Sequence, residues 1–269
     1  MKFVDIHPDA KIGNNVTIGS FTSIAQDVEI GDNTWIAPNA TIMDGARIGK
    51  NCRIFSGAVI SAIPQDLKFE GEITFTEIGD NTTIRECVTI NRGTKDRWKT
   101  VIGNNCLIMA YVHVAHDCVI GNNCILVNSV QLAGHVEIGE FAILGGLSAA
   151  HQFTKIGAHA MVSGGSLIRK DVPPFTKVAR EPLSYVGINN LGLRRRGFTG
   201  TQMANIQEMY RILFQQNHNF SIALEMINNN FEESPEKMII TDFLKASKRG
   251  IIKGISKKGT NTAEEEFTL

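Results

Sequence analysis

His116 and Asp117 set an imidazole beside a carboxylate, and Gly134, eighteen residues on, adds a peptide N–H that no side chain shields. An imidazole so paired works as a general base near neutral pH. A bare N–H is what a developing oxyanion needs. His113, His135 and His151 flank them, so four of the seven histidines fall in one stretch of chain. These types suit direct attack of a bound hydroxyl or amine on an acyl group, without an acyl-enzyme, because no Ser or Cys stands where it could be the nucleophile. The set His113, His116 and His135 reads equally as zinc ligands that activate water. The histidines alone do not choose between the two.

What spaces these residues is a period of six. Aliphatics recur at Ile102, Ile108, Val114, Ile120, Leu126 and Leu132, and the same phase runs back to Ile6 and on to Ile168. Neither a helix nor a plain strand has that period; it belongs to a solenoid of very short strands. The signature Ile-Gly-x-Asn returns every eighteen residues, at Ile12, Ile30 and Ile48 and again at Ile102 and Ile120. Three hexads per coil predict a triangular, left-handed parallel β-helix of eight coils, roughly 38 Å tall at the usual strand spacing. Gly and Asn supply its tight corners.

The phase also locates two interruptions, loops at about 61–77 and 91–101. Both leave at the corner marked by Ile60, Ile90, Val114, Leu132, Ala150 and Ile168. A column two residues past those aliphatics reads Arg92, His116, Gly134, Gln152 and Lys170. Pro173 and Pro174 end the strand pattern, with an extended segment to about Val186. The expected division is a β-helix over 1–186 and an α-helical domain over 187–269. Its helices begin at a Thr199–Gln202 capping box, near Ser221, and at Ser234-Pro235. From about 255 the chain reads as a disordered tail.

Cys52, Cys106, Cys118 and Cys124 occupy a slot otherwise filled by small or β-branched residues, so they read as packing groups rather than metal or redox sites. With 27 basic and 27 acidic side chains, the composition offers no case for nucleic acid or an anionic membrane. No apolar run is long enough for a membrane span, and Met1–Pro8 has no signal-peptide pattern, so a cytoplasmic protein is expected. Local basic stretches, Arg169–Arg196 and Thr241–Gly259, suit phosphates or an acidic protein partner.

Six segments make the reading narrower: Gln65–Lys68, Ile90–Thr94, His113–Cys118, Leu132–His135, His151–Phe153 and Gly192–Phe198. In this order they resemble the UDP-N-acetylglucosamine O-acyltransferases of lipid A biosynthesis, over nearly the whole chain. The resemblance implies transfer of a 3-hydroxyacyl chain from acyl carrier protein to the glucosamine 3-hydroxyl of UDP-N-acetylglucosamine. It implies His116 as general base with Asp117 beside it, the Gly134 amide as oxyanion donor, and no metal or other cofactor. Asp66 and Lys68 would hold the sugar nucleotide; His151, Gln152, Asn189, Arg195 and Arg196 would lie on its uridine-diphosphate side. His113 and His135 would line the acyl path and Gly164 its floor. A homotrimer with sites between subunits is implied as well. Leu191 departs from the pattern, standing where relatives can carry Glu. The rival readings are an N-acyltransferase acting on a UDP-glucosamine amine, a zinc lyase on the same fold, and a structural solenoid.

Overall fold

A computed structural model describes residues 3–215 and 220–254. The hexads form a left-handed coil whose three faces are sheets of nine, eight and eleven strands. The expected eight coils match the second face; the first has one rung more, from Asp5–Ile6 to Leu167–Ile168. Residues eighteen apart become neighbours wherever no loop intervenes, as in Val114↔Leu132 and Ile120↔Ile138. The hexad aliphatics point inward and form one buried core with the small slot, Cys52, Cys106, Cys118 and Cys124 included. Burial pushes the Cys118 thiol up to about 12, in keeping with a packing role. Cys87 is exposed, outside that slot.

Corners explain the Asn. Asn15, Asn33, Asn51, Asn81, Asn105 and Asn123 all have φ between +55° and +59°, a region Asn tolerates better than most residues. Beside them, side chains replace missing backbone partners: the Asp80 N–H donates to Asn104 Oδ1 at 2.7 Å and the Asn104 N–H to Asn122 Oδ1 at 2.8 Å. On the outside of the second face, charges alternate over the first four rungs and again over the last two, with Val101 and Val119 between. Lys11 meets Glu29 at 2.9 Å, Arg47 lies 3.8 Å from Glu29, and Lys155 meets Glu137 at 3.0 Å.

Both insertions leave between the first and second faces. The strand Val59–Ala62 gives way to Phe75–Ile78, and Thr89–Asn91 to Lys99–Ile102. The loops are therefore 63–74 and 92–98, shorter than the phase suggested, because their edges keep pairing: Ala62↔Asn91, Phe75↔Lys99 and Thr76↔Thr100. Ile60, Ile90, Val114 and their kin are strand residues of the first face, not a corner; the corner follows them.

The prolines do not end the ladder. Thr176–Ala179 adds another rung to the third face, pairing Lys177↔Met161 and Val178↔Val162. At this corner each Gly N–H donates to the carbonyl of the next coil, as Gly139 does to Ile156 and Gly157 to Val172. Beyond it the Asp171 N–H donates to the Gly250 carbonyl and the Ile252 N–H to the Asp171 carbonyl, both at 3.0 Å; Pro173, having no N–H, cannot carry that bridge a step further. The segment expected to run extended instead makes a hairpin with Ser184–Ile188.

Among the described residues four helices follow: α1 (Asn190–Arg195), α2 (Gly200–Gln215), α3 (Phe220–Asn230) and α4 (Pro235–Ala246). The capping box is present, with Thr199 Oγ1 accepting from the Gln202 N–H at 3.2 Å and Gln202 Oε1 from the Thr199 N–H at 2.9 Å. Ser234 caps α4, and its first residue is Pro235. The fully buried Tyr210 donates to the Pro174 carbonyl at 2.6 Å, and Ser247 Oγ to Asp171 Oδ2 at 2.6 Å. These bonds pin the helices to the end of the coil. The tail from 255 lies outside the described residues.

Because the core is a single column of stacked side chains, removing one of them opens a void that neighbours above and below cannot close. Ile108→Ala, at a site with no exposure, is expected to cost about 2–5 kcal/mol, read as a shift of the denaturant midpoint with an unchanged slope.

Candidate active site

His116 lies on the corner after His113–Val114, between the two faces that the loops join. Its ring packs against the next coil. A Cβ built on Gly134 would sit 2.6 Å from His116 Cε1 and 2.7 Å from Nε2. Only glycine leaves room for the imidazole there. Among the described residues the Gly134 N–H has no acceptor, so it is free for a ligand. His116 and Gly134 line one wall of a cleft of about 720 Å³, with Gln152 and Phe153 beyond them and Gln65, Asp66, Lys68 and Glu72 from the first loop. Thr94, Lys95 and Asp96 of the second loop complete it.

Asp117 is buried without exposure, at φ +59°. Its Oδ2 is 2.8 Å from His116 Nδ1 and accepts the Thr94 hydroxyl at 2.6 Å. Its Oδ1 accepts the backbone N–H groups of Thr94, at 3.0 Å, and Arg97, at 3.2 Å. Burial works to raise the Asp117 pKa, but the bonds from His116 and Thr94 outweigh it and hold the carboxyl below its usual range. An ionised carboxylate only accepts. His116 therefore carries its proton on Nδ1, and Nε2, turned to Gly134, is the basic nitrogen.

His135 stacks on Phe153 with centroids 4.3 Å apart and meets His116 edge-on at 5.0 Å. Its Nδ1 comes within 3.1 Å of Asp96 Oδ2, off the line of a hydrogen bond, and has no other partner. Desolvation lowers the His135 pKa, against the pull of Asp117. His113 is held by Thr89 Oγ1 at 2.8 Å, and desolvation together with His116 lowers its pKa too. Ligand atoms of His116, Asp117 and His135 lie within 4.8 Å of one another, close enough to hold a metal ion; here they are hydrogen-bonded or packed among themselves.

Of the column expected along this edge, His116, Gly134 and Gln152 share the cleft. Arg92 and Lys170 do not. The Arg92 guanidinium donates to the Asp44 carbonyl at 3.1 Å and covers the Phe69 ring at 5.6 Å, because the loop after it turns the chain aside. Lys170 borders a separate hollow with Leu167 and Leu183. His151 is exposed, its Nδ1 3.1 Å from the Gln152 carbonyl. Gly164 is exposed on another corner, packed toward Gly146.

Asn189, Arg195 and Arg196 gather elsewhere, around the unpredicted α1. Asn189 caps it through the Gly192 N–H at 3.2 Å and donates to the His159 carbonyl at 2.9 Å. Arg196 donates to the Phe141 carbonyl at 3.0 Å and lies 5.1 Å over that ring. His159 is stacked between Phe141 and Phe175, at 5.0 and 5.3 Å. Desolvation, reinforced by Arg196, drops its pKa to about 4. Arg195 is exposed. Glu72, Thr94, Lys95, Asp96 and Phe153 are cleft residues that the hexad phase did not single out; the first four lay within the two expected loops, and Thr94 and Phe153 also ended the segments Ile90–Thr94 and His151–Phe153.

Comparison with known proteins gives a consistent result. A family model described as UDP-N-acetylglucosamine O-acyltransferase, domain 2, matches residues 171–252. One described as bacterial transferase hexapeptide (six repeats) matches 27–62 and 99–134. An acyl-[acyl-carrier-protein]–UDP-N-acetylglucosamine O-acyltransferase of a Sulfurihydrogenibium species is 48% identical over 98% of this chain and 100% of its own. The corresponding protein of Chlorobaculum parvum is 50% identical, covering 91% and 96%. The crystal structure of a UDP-N-acetylglucosamine acyltransferase from Bacteroides fragilis superposes with a TM-score of 0.92 at 50% identity, over 93% of this chain and 98% of that one. One from Francisella novicida gives 0.91 at 41% identity, over 94% and 93%.

The His159 environment predicts an acid-sensitive fold. Its folded pKa of about 4 lies below the 6.5 of an ordinary histidine, so between those values the unfolded chain binds a proton that the folded chain does not. Stability is full above pH 6.5 and falls on acidification toward pH 4, by about 3 kcal/mol in all. His159→Phe, which keeps the stacked column and a residue type already found at this backbone angle in Phe141 and Phe175, is expected to flatten that dependence in denaturant melts taken from pH 7 to 4.

Proposed function

We propose, for a chain that belongs to the acyl-[acyl-carrier-protein]–UDP-N-acetylglucosamine O-acyltransferase family, a mechanism of direct attack with His116 as the base. The enzyme moves an acyl group from acyl carrier protein to UDP-N-acetylglucosamine, the opening reaction of lipid A synthesis. In our reading the nucleophile is the glucosamine 3-hydroxyl and the cargo a 3-hydroxyacyl chain.

One observation carries the mechanism: His116 is held between a buried carboxylate and a bare glycine, at the wall of a cleft. Nε2 takes the hydroxyl proton as the oxygen attacks the thioester carbon. The new charge on the carbonyl oxygen meets the free Gly134 N–H. Asp117 stabilises the imidazolium that forms. When the tetrahedral intermediate collapses, the C–S bond breaks and His116 returns its proton to the leaving thiolate. Asp66 and Lys68, on the first loop at the cleft mouth, suit the sugar nucleotide, and His135, His113 and Gly164 the acyl path.

His151, Gln152, Asn189, Arg195 and Arg196 are assigned to the uridine-diphosphate side, although of these only Gln152 lines the cleft of its own chain. This favours a homotrimer in which one subunit's α1 region faces the next subunit's cleft. Large apolar side chains left exposed on the first loop, Ile63, Leu67 and Ile73, give such a subunit boundary its apolar area. Acyl carrier protein, being acidic, suits the basic C-terminal stretch. We place the enzyme in the cytoplasm, with its two soluble substrates; among the described residues no helix is long and apolar enough to cross a membrane.

His116→Ala is expected to lower kcat for acyl transfer by about two to four orders of magnitude, with the fold intact by melting; a rate near the parent's removes His116 from the role. In sedimentation the protein is expected to run as three copies of the 29.5 kDa chain, and a monomer that turns over normally refutes the shared site.

A further inference from the structure

We infer that Thr94, on the second inserted loop, is a positioning residue for the reaction, acting on His116 through Asp117. The inference rests on the reading of His116 as base and extends it to a loop with no role so far. Thr94 is nearly buried and borders the cleft. Its hydroxyl oxygen accepts the Asp96 N–H at 3.3 Å, which leaves its single proton for Asp117 Oδ2, at 2.6 Å. That is the same oxygen that His116 Nδ1 contacts at 2.8 Å. The Thr94 N–H, at 3.0 Å, and the Arg97 N–H, at 3.2 Å, take the other oxygen.

A carboxylate beside an imidazole can rotate about its own axis and can pick up a proton; either change lets the ring tilt or switch tautomer. Here both oxygens are anchored from the loop side, so the carboxylate plane is fixed before His116 binds to it. The hydroxyl donor also helps keep Asp117 ionised, and an ionised partner is what commits His116 to the Nδ1–H form. Backbone N–H bonds survive any side-chain substitution. The hydroxyl bond does not, and it is the one that falls on the shared oxygen. A donor to a charged acceptor in a buried site is among the stronger hydrogen bonds.

The test is steady-state kinetics of Thr94→Val, Thr94→Ala and Thr94→Ser, with His116→Ala alongside. Val keeps the volume, Ala removes the hydroxyl with no bulk to misfit, and Ser keeps the hydroxyl alone. Val and Ala are expected to lose about tenfold to a hundredfold in kcat, with KM for UDP-N-acetylglucosamine held within about twofold and Ser recovering to within about threefold of the parent. Parental kcat in both Val and Ala, while His116→Ala is inactive, overturns the inference and leaves the base intact. So does a Ser variant as impaired as Val, or a loss confined to KM, since each assigns Thr94 to packing or binding. A parental rate in His116→Ala overturns the underlying reading instead.

Discussion

The separation between neighbouring coils is the distance on which the whole molecule depends. A strand ladder fixes it near 4.8 Å, and wherever the coil is uninterrupted it makes residues eighteen apart in sequence touch. His116 meets Gly134 this way, and His135 meets Phe153. His135 and Phe153 stack ring on ring, but the His116 ring lies against the backbone of the next coil, where a Cβ would come within 2.6 Å, so the residue there can carry no side chain. The bare glycine thus seats the imidazole and presents its own N–H at the same place. The core obeys the same rule: each inward aliphatic stacks on its own kind, and the slot beside it takes small or β-branched residues, Cys, Val, Thr, Ser or Ala.

A buried charge sits at the centre of this site. Asp117 has no contact with water and is ionised at the expense of desolvation. Hydrogen bonds from His116 and from three groups of the second loop offset that penalty. The loop in turn holds its neighbour: the Lys95 N–H donates to Glu72 Oε1 at 3.1 Å and its ammonium meets Glu70 at 3.1 Å. The first loop is thus tied, through the second, to the carboxylate beside His116.

How much of this was legible follows from the periodicity. Faces, the corners made by Gly and Asn, and the inward cysteines could be read because each depends on position in the hexad, and the same count made His116 and Gly134 neighbours, although it put the corner on the aliphatics that precede it. Where the phase breaks, reading stops. An interruption shows where a loop departs, not how it returns, so Thr94 and Arg97 could not be placed on Asp117. Arg92 has the correct phase but borders a loop, and its side chain follows the turned chain toward Asp44 and Phe69. Helix α1 is only six residues and includes an asparagine and a glycine, weak by length and propensity; it forms because Asn189 caps it and Leu193 is buried. Pro173 looked like a terminator because proline breaks ladders; it does stop the bridge between Asp171 and Ile251 from growing, while the third face goes on past it through Thr176–Ala179.

A chain built of near-identical rungs faces a threading problem during folding. Its interior barely distinguishes one rung from the next, so skipping a coil would still bury aliphatic on aliphatic. The exterior of the second face does distinguish them. Lys11 pairs with Glu29 and Glu29 with Arg47, and Arg47 neighbours Glu77 across the ladder. A skipped coil would set Lys11 against Arg47 and Glu29 against Glu77. Each exposed pair is weak alone, yet a frameshift inverts them together. The alternating signs serve as an address code, written on the side of the prism that the core cannot read.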